Sequence, residues 1–161
     1  MQWQPSASFD TLAQRARLLG ATRDFFRQRG LLEVETPALV AHAVSDPHLA
    51  NIPARLADGR KLWLHTSPEY HMKRLLAAGA PDIWQLGKVF RDGEAGRRHE
   101  PEFTLLEWYR HDWTLHALAG ESCELISALA IVVGKNLAAP VYLGYRELFL
   151  AAVGIDPLTA D

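Results

Sequence analysis

Two runs of alternating residues, Asp82 to Phe90 and Glu102 to Arg110, sit on either side of one charged loop. Period-two alternation at this separation constrains the chain to an antiparallel hairpin. A hairpin turns in about two to five residues, and this loop is longer than its turn requires. It holds Arg91, Asp92, Gly93, Glu94, Arg97, Arg98, His99 and Glu100. A segment so long and so charged is expected to grip something.

The returning run places Phe103, Leu105, Glu107 and Tyr109 on one face and Thr104, Leu106, Trp108 and Arg110 on the other. Glu107 therefore lies among apolar and aromatic side chains. A carboxylate there must be solvated or paired, because burying it alone costs several kcal/mol, of order 3 or more. A ligand ammonium would satisfy it, with the Tyr109 hydroxyl as a second contact; an exposed face with a neighbouring arginine would do so equally. The outgoing run offers Gln85, Gly87, Val89 and Arg91 on one face. Glycine inside a strand often marks close approach by a ligand. Arg91 at the strand end can fork onto a phosphate, or be an ordinary surface arginine.

The rest of the chain reads as helices and short strands. Ser8 caps a helix running to about Arg29, striped by Leu12, Arg15-Ala16, Leu19, Thr22-Arg23 and Phe26, with Gly30 as its left-handed stop. Leu31 to Glu35 reads as a short strand ended by Thr36-Pro37, and Lys61 to Thr66 as another. Ala38 to Arg60 shows no steady period. Ser67-Pro68-Glu69 is a helix start, with a hydroxyl cap, proline at the first position and an acid against the dipole. That device needs no function, yet Glu69 can also face a cleft and pair with an amine. Leu115 to Val133 and Tyr145 to Val153 read as further helices. The pattern predicts α+β architecture around an antiparallel sheet.

At 161 residues one domain is expected. A net charge of -2 gives no global attraction to nucleic acid. Cys123 is the sole cysteine, so no disulfide framework forms within the chain and a reducing cytosol is the expected setting. No segment is expected to approach the roughly twenty apolar residues of a membrane span, and Met1 to Pro5 lacks the pattern of a signal peptide. The histidines form no zinc motif, and no metal ligands are assigned. Gly154 to Leu158 reads as a connection into more protein.

Val34-Glu35-Thr36-Pro37, Thr66 to Leu76 and the Phe90 to Tyr109 block together resemble the catalytic domain of class II lysyl-tRNA synthetases. More closely, they resemble the paralogous family of elongation factor P–(R)-β-lysine ligases. The opening Trp3-Gln4-Pro5-Ser6-Ala7 and the Glu69-Tyr70-His71-Met72 wording favour that paralogue, as does a first helix with no anticodon-binding OB domain before it. The resemblance implies residues 1–161 to be the N-terminal portion of a class II synthetase-like catalytic domain, with the first and second motifs present and the third absent. It implies activation of (R)-β-lysine by ATP with magnesium, then ligation to a lysine of elongation factor P.

By position, the resemblance assigns Arg91 to the α-phosphate and Phe103 to adenine, with Asp92, Glu94, His99 and Glu100 in the same ATP-binding loop. It assigns Ser67, Pro68 and Glu69 to the substrate's amino group, Glu107 and Tyr109 to its other amine, and Pro37 to a homodimer interface. A cytoplasmic enzyme that does not bind a tRNA anticodon is expected.

The sequence departs from the family pattern in three places. The usual Arg-x-Glu of the second motif is Arg91-Asp92-Gly93, with the acid one place later at Glu94. Glu100 stands where asparagine commonly precedes Pro101. No Gly-rich third motif follows, so this chain alone is expected to make no adenylate at a useful rate. A lysyl-tRNA synthetase catalytic fragment, acting on lysine, and a non-catalytic nucleotide-binding or dimerisation remnant remain the alternatives.

Overall fold

The structure is a computed structural model that describes residues 3–159. The ends of the expected 1–161 domain therefore lie outside the described residues.

Helix α1 (Phe9–Gln28) opens where Ser8 Oγ accepts from the Thr11 N–H at 3.2 Å. It closes before Gly30, whose φ of 75° is the left-handed conformation expected there. Of the expected stripe only Thr22 and Phe26 are buried, and they are joined by Phe25, which lay outside it. Leu12 remains 46% exposed.

The strands are β1 (Leu32–Glu33), β2 (Leu39–Val40), β3 (Pro53–Arg55), β4 (Lys61–Leu64), β5 (Ile83–Phe90) and β6 (Glu102–Tyr109). They form two three-stranded sheets, ordered β1-β5-β6 and β2-β4-β3. The expected hairpin is present, with β5 and β6 antiparallel over their full lengths.

Two features correct the sequence reading. β1 runs parallel to β5, so the principal sheet is mixed. A parallel pair needs a long crossover, and the segment from Val34 to Asp82 supplies it. In the stretch without a period, β2 and β3 flank β4. Strands of two and three residues are too short to show alternation and exist only through their pairing.

Helix α2 (Glu69–Ala77) follows β4. Pro68 is already in the αR region and Ser67 Oγ accepts from the Glu69 N–H at 3.0 Å, so the expected start is realised with the regular helix beginning at Glu69.

The core lies on one face of the principal sheet. Phe26 stacks on Trp84, ring centroids 4.8 Å apart, and leans on Trp108 at 5.4 Å. Phe25, Leu31 and Leu125 complete the buried cluster. Leu125 comes from α3 (Leu115–Val132), which starts at Thr114.

By length and composition α3 could cross a membrane, its mean hydropathy being 1.4 over 18 residues. This corrects the expectation that no segment approaches a span. Its inward side is nonetheless polar at Glu121, which is buried and paired with Arg110 and Arg29, while Leu125 joins the core. Helix α4 (Tyr145–Val153) buries no residue.

Candidate functional site

The opposite face of the hairpin carries the candidate residues. Strand register sets Gln85 against Glu107, Gly87 against Leu105 and Val89 against Phe103. Packing Trp84, Leu106 and Trp108 against the helices forces these alternate positions to the other side. The predicted face is thus fixed by the core on its back.

Glu107 accepts a short hydrogen bond from the Tyr109 hydroxyl. It also accepts one from Ser67 Oγ at 3.3 Å. Ser67 is delivered by the turn into α2, so residues forty positions apart meet at one carboxylate. Among the described residues no Lys, Arg or His nitrogen lies within 4.0 Å of that carboxylate in an ion pair, and its partners are neutral hydroxyls. Burial first, and then the hydrogen bond and charge of Glu107, push the Tyr109 phenol well above its ordinary range. Tyr109 therefore stays a neutral donor. Glu69, on the first turn of α2, is bound instead by Lys73 one turn later, Nζ to Oε1 at 2.5 Å. Pro68, between Ser67 and Glu69, is fully buried and fixes the turn.

At the other end of the same face, the Arg91 guanidinium lies over the Phe103 ring, 5.0 Å from its centroid. Its Nε donates to the Thr66 carbonyl at 3.4 Å, and Nη1 pairs with Glu94 at 3.6 Å. Gly93 explains how an acid one residue late reaches Arg91. Its φ of 76° is a left-handed bend that few other residues adopt, and it turns the chain so that Glu94 comes back toward the arginine. Asp92 Oδ1 accepts from the Gly93 N–H at 2.9 Å, supporting the bend rather than facing the arginine.

The long loop is less open than its length implied. Arg91 N–H bonds the Pro101 carbonyl at 2.9 Å, and Gly96 and His99 bond each other's backbones around a turn at Arg97-Arg98. Asp92 N–H reaches the Ala50 carbonyl at 2.9 Å, tying the loop to the segment between β2 and β3. The loop is a continuation of the hairpin, so its length alone does not require a ligand. His99 and Glu100 are exposed near its tip, and the structure brings neither to Arg91. Pro37 is exposed and stands apart from the cluster, beside a cleft with His71, Arg74 and Leu75.

A cavity of about 190 Å³ borders Ser67 and Glu69 and is walled by His42, Asp46, Asn51 and Tyr70. A larger one, about 620 Å³, follows the edge of β5 that β1 leaves unpaired. It touches Gln85 and Gly87 but neither Glu107 nor Arg91.

Three supports escaped the sequence reading. Buried His65 hydrogen bonds the Lys88 carbonyl at 2.8 Å, Thr66 receives Arg91, and Gln85 Oε1 accepts from the Thr36 N–H at 3.0 Å. Only Gln85 carried a sequence signal, as a polar residue on the strand face.

Comparison with known proteins decides the lineage. The model of class II tRNA synthetases of the D, K and N type matches residues 1–142. The chain belongs to the class II tRNA synthetase family. Within that family it is similar to proteins named elongation factor P–(R)-β-lysine ligase. The one from Haemophilus influenzae strain PittGG is 46% identical over 99% of this chain and 49% of its own length. That from Histophilus somni strain 2336 is 47% identical over the same shares, and that from Yersinia enterocolitica 46%. This synthetase-family chain spans about half the length of the curated relatives it matches.

Proposed function

We propose that this chain forms the nucleotide- and amine-binding part of a ligase that activates (R)-β-lysine with ATP and transfers it to a lysine of elongation factor P. The observation that carries the reading is the division of one strand face. An aromatic ring under a guanidinium lies at one end, and a carboxylate held by two hydroxyls lies four residues along. At about 3.3 Å per residue the two ends are about 13 Å apart, a span that an extended aminoacyl nucleotide can bridge.

In this reading adenine stacks on Phe103 and Arg91 turns to the α-phosphate. The substrate carboxylate oxygen attacks the α-phosphorus, and the bond to pyrophosphate breaks. Arg91 stabilises the charge that develops on the phosphoryl oxygens. The acceptor amine then attacks the activated carbonyl, AMP leaves with the bonding electrons, and the amine loses a proton. Glu107, Tyr109, Ser67 and Glu69 hold the substrate's amines, so positioning supplies the rate and no side chain forms a covalent intermediate.

Asp92, Glu94, His99 and Glu100 belong to the nucleotide loop, with Glu94 restraining Arg91. Among the described residues no three His, Cys, Asp or Glu side chains gather to hold a metal ion. Magnesium enters this reading only as the ion carried by the phosphates, and no step is routed through it. Pro37 at a homodimer interface, a class II synthetase-like arrangement of the sheet and its helices, and a cytoplasmic setting are part of the same proposal.

Calorimetry tests it. The chain is expected to bind ATP, and Phe103→Ala to weaken that binding about ten-fold or more, since base–aromatic stacking is worth about 1–3 kcal/mol. (R)-β-lysine is expected to bind more tightly than lysine, and Glu107→Gln to weaken both. ATP binding that ignores Phe103 would sink the assignment. Preference for lysine would favour the lysyl-tRNA synthetase reading.

A further inference from the structure

The amine end of the site contains one cation to which the proposed reaction gives no role. We propose that Lys73 is an exchangeable internal counter-ion that occupies Glu69 until a substrate amine displaces it, and so sets the net charge the site accepts. This rests on the amine-site reading above and deepens it.

The geometry supports exchange. Lys73 lies one turn after Glu69 on α2, with its ammonium 2.5 Å from the carboxylate. Both side chains are about half exposed, 57% and 45%, and a pair of this kind on a helix surface is weak and screened by salt. The ammonium sits on a flexible stem and can leave Glu69 at small cost. Glu107, by contrast, is held by the Ser67 and Tyr109 hydroxyls and, among the described residues, has no ion-pair partner within 4.0 Å. The two carboxylates are electrostatically joined to Lys73, whose ammonium is held protonated first by Glu69 and also by Glu107.

Charge arithmetic gives the consequence. Two carboxylates and one ammonium leave the cluster at minus one, opposite to a diamino acid, which carries two ammonium groups and one carboxylate. An alkyl diamine, with two ammonium groups and no carboxylate, would overcompensate it. Lys73 thereby favours a diamino acid over the corresponding diamine, although both present the same amines.

The test is titration of the 161-residue chain with lysine and with 1,5-diaminopentane at low ionic strength. The Lys73→Met variant is expected to bind the diamine about five-fold more tightly and lysine about two-fold more tightly. Lys73→Arg should keep the wild-type ratio. The gain should vanish near 1 M salt, where the screening length is about 3 Å; a merely structural role for Lys73 would produce no salt-dependent change of preference. Thermal unfolding of the variant should match wild type, since Lys73 is exposed.

An unchanged preference in a folded Lys73→Met variant overturns the inference and leaves the amine site standing. Weaker lysine binding also overturns it, by showing Lys73 to contact the substrate itself. If wild type binds neither of these amines nor (R)-β-lysine, the amine-site reading fails and this inference with it; binding of (R)-β-lysine alone overturns this inference and leaves the site standing.

Discussion

Replacing Glu121 by alanine is expected to cost the fold about 3–4 kcal/mol. Glu121 is 2% exposed and Arg110 7%. The guanidinium grips the carboxylate through Nη2 and through Nε, the latter at 3.1 Å. Trp108 Nε1 donates to the same carboxylate at 3.0 Å. Breaking a buried pair by removing one partner costs about 3–5 kcal/mol, and an orphaned donor such as the indole N–H adds about 1–3. Asp82 softens the loss, because it keeps Arg110 Nη1 at 3.1 Å and is itself 25% exposed.

Urea unfolding measures the effect. At a slope of about 1.5–2 kcal/mol per molar, the midpoint should fall by about 2 M with the slope unchanged. Glu121→Gln keeps the shape and one acceptor and should lose about half as much. The double variant Glu121→Leu with Arg110→Met should recover part of the stability, since an apolar pair of similar volume often replaces a buried ion pair without loss, while the Trp108 N–H stays unpaired. A loss below about 1 kcal/mol for the alanine variant, or no recovery in the double variant, would refute the assignment of Glu121 as the paired charge that joins α3 to β6.

Acid should weaken the same network through Asp82. Burial raises its pKa, but the His111 backbone N–H and Arg110 outweigh that and hold it below the ordinary 3.8. Its contribution is complete above the unfolded value and lost as pH falls through the lower folded one. Unfolding free energy should therefore drop below about pH 4, and Asp82→Asn, already weaker at neutral pH, should show a shallower drop. At Gly93 the backbone φ of 76° predicts that Val costs about 1–2 kcal/mol of local strain. ATP affinity should fall, with a loss of global stability no larger than that strain, whereas Gly93→Asn should remain close to wild type; equal ATP binding by the two variants would contradict the role given to that bend.

Hairpin, helices and site face were legible because each rests on local periodicity or on a terminal device. Ser8 and Gly30 mark helix ends through backbone geometry that neighbours in sequence decide. Phe103, Glu107 and Tyr109 share a face because strands alternate. The meaning given to loop length did not survive, since backbone bonds at Gly96 and His99 extend the hairpin into the loop. β2 and β3 were illegible because their two and three residues are held by β4 rather than by a pattern of their own. Glu121 carried a faint signal, as a carboxylate on the inward stripe of an apolar helix, where burial demands a partner.

By itself the sequence determined which residues could carry chemistry: an arginine beside an aromatic, and a carboxylate two residues from a phenol. Tertiary structure alone decided that Ser67 joins Glu107 and that Glu94 reaches Arg91. It also decided that Lys73 covers Glu69 while Glu107 meets only hydroxyls. The physical reason is range. Periodicity fixes which side of an element a residue faces, but which charge is neutralised depends on what a distant segment brings within hydrogen-bonding distance. At Glu107 that segment is the turn into α2, set in place by the packing of buried Pro68 and Met72.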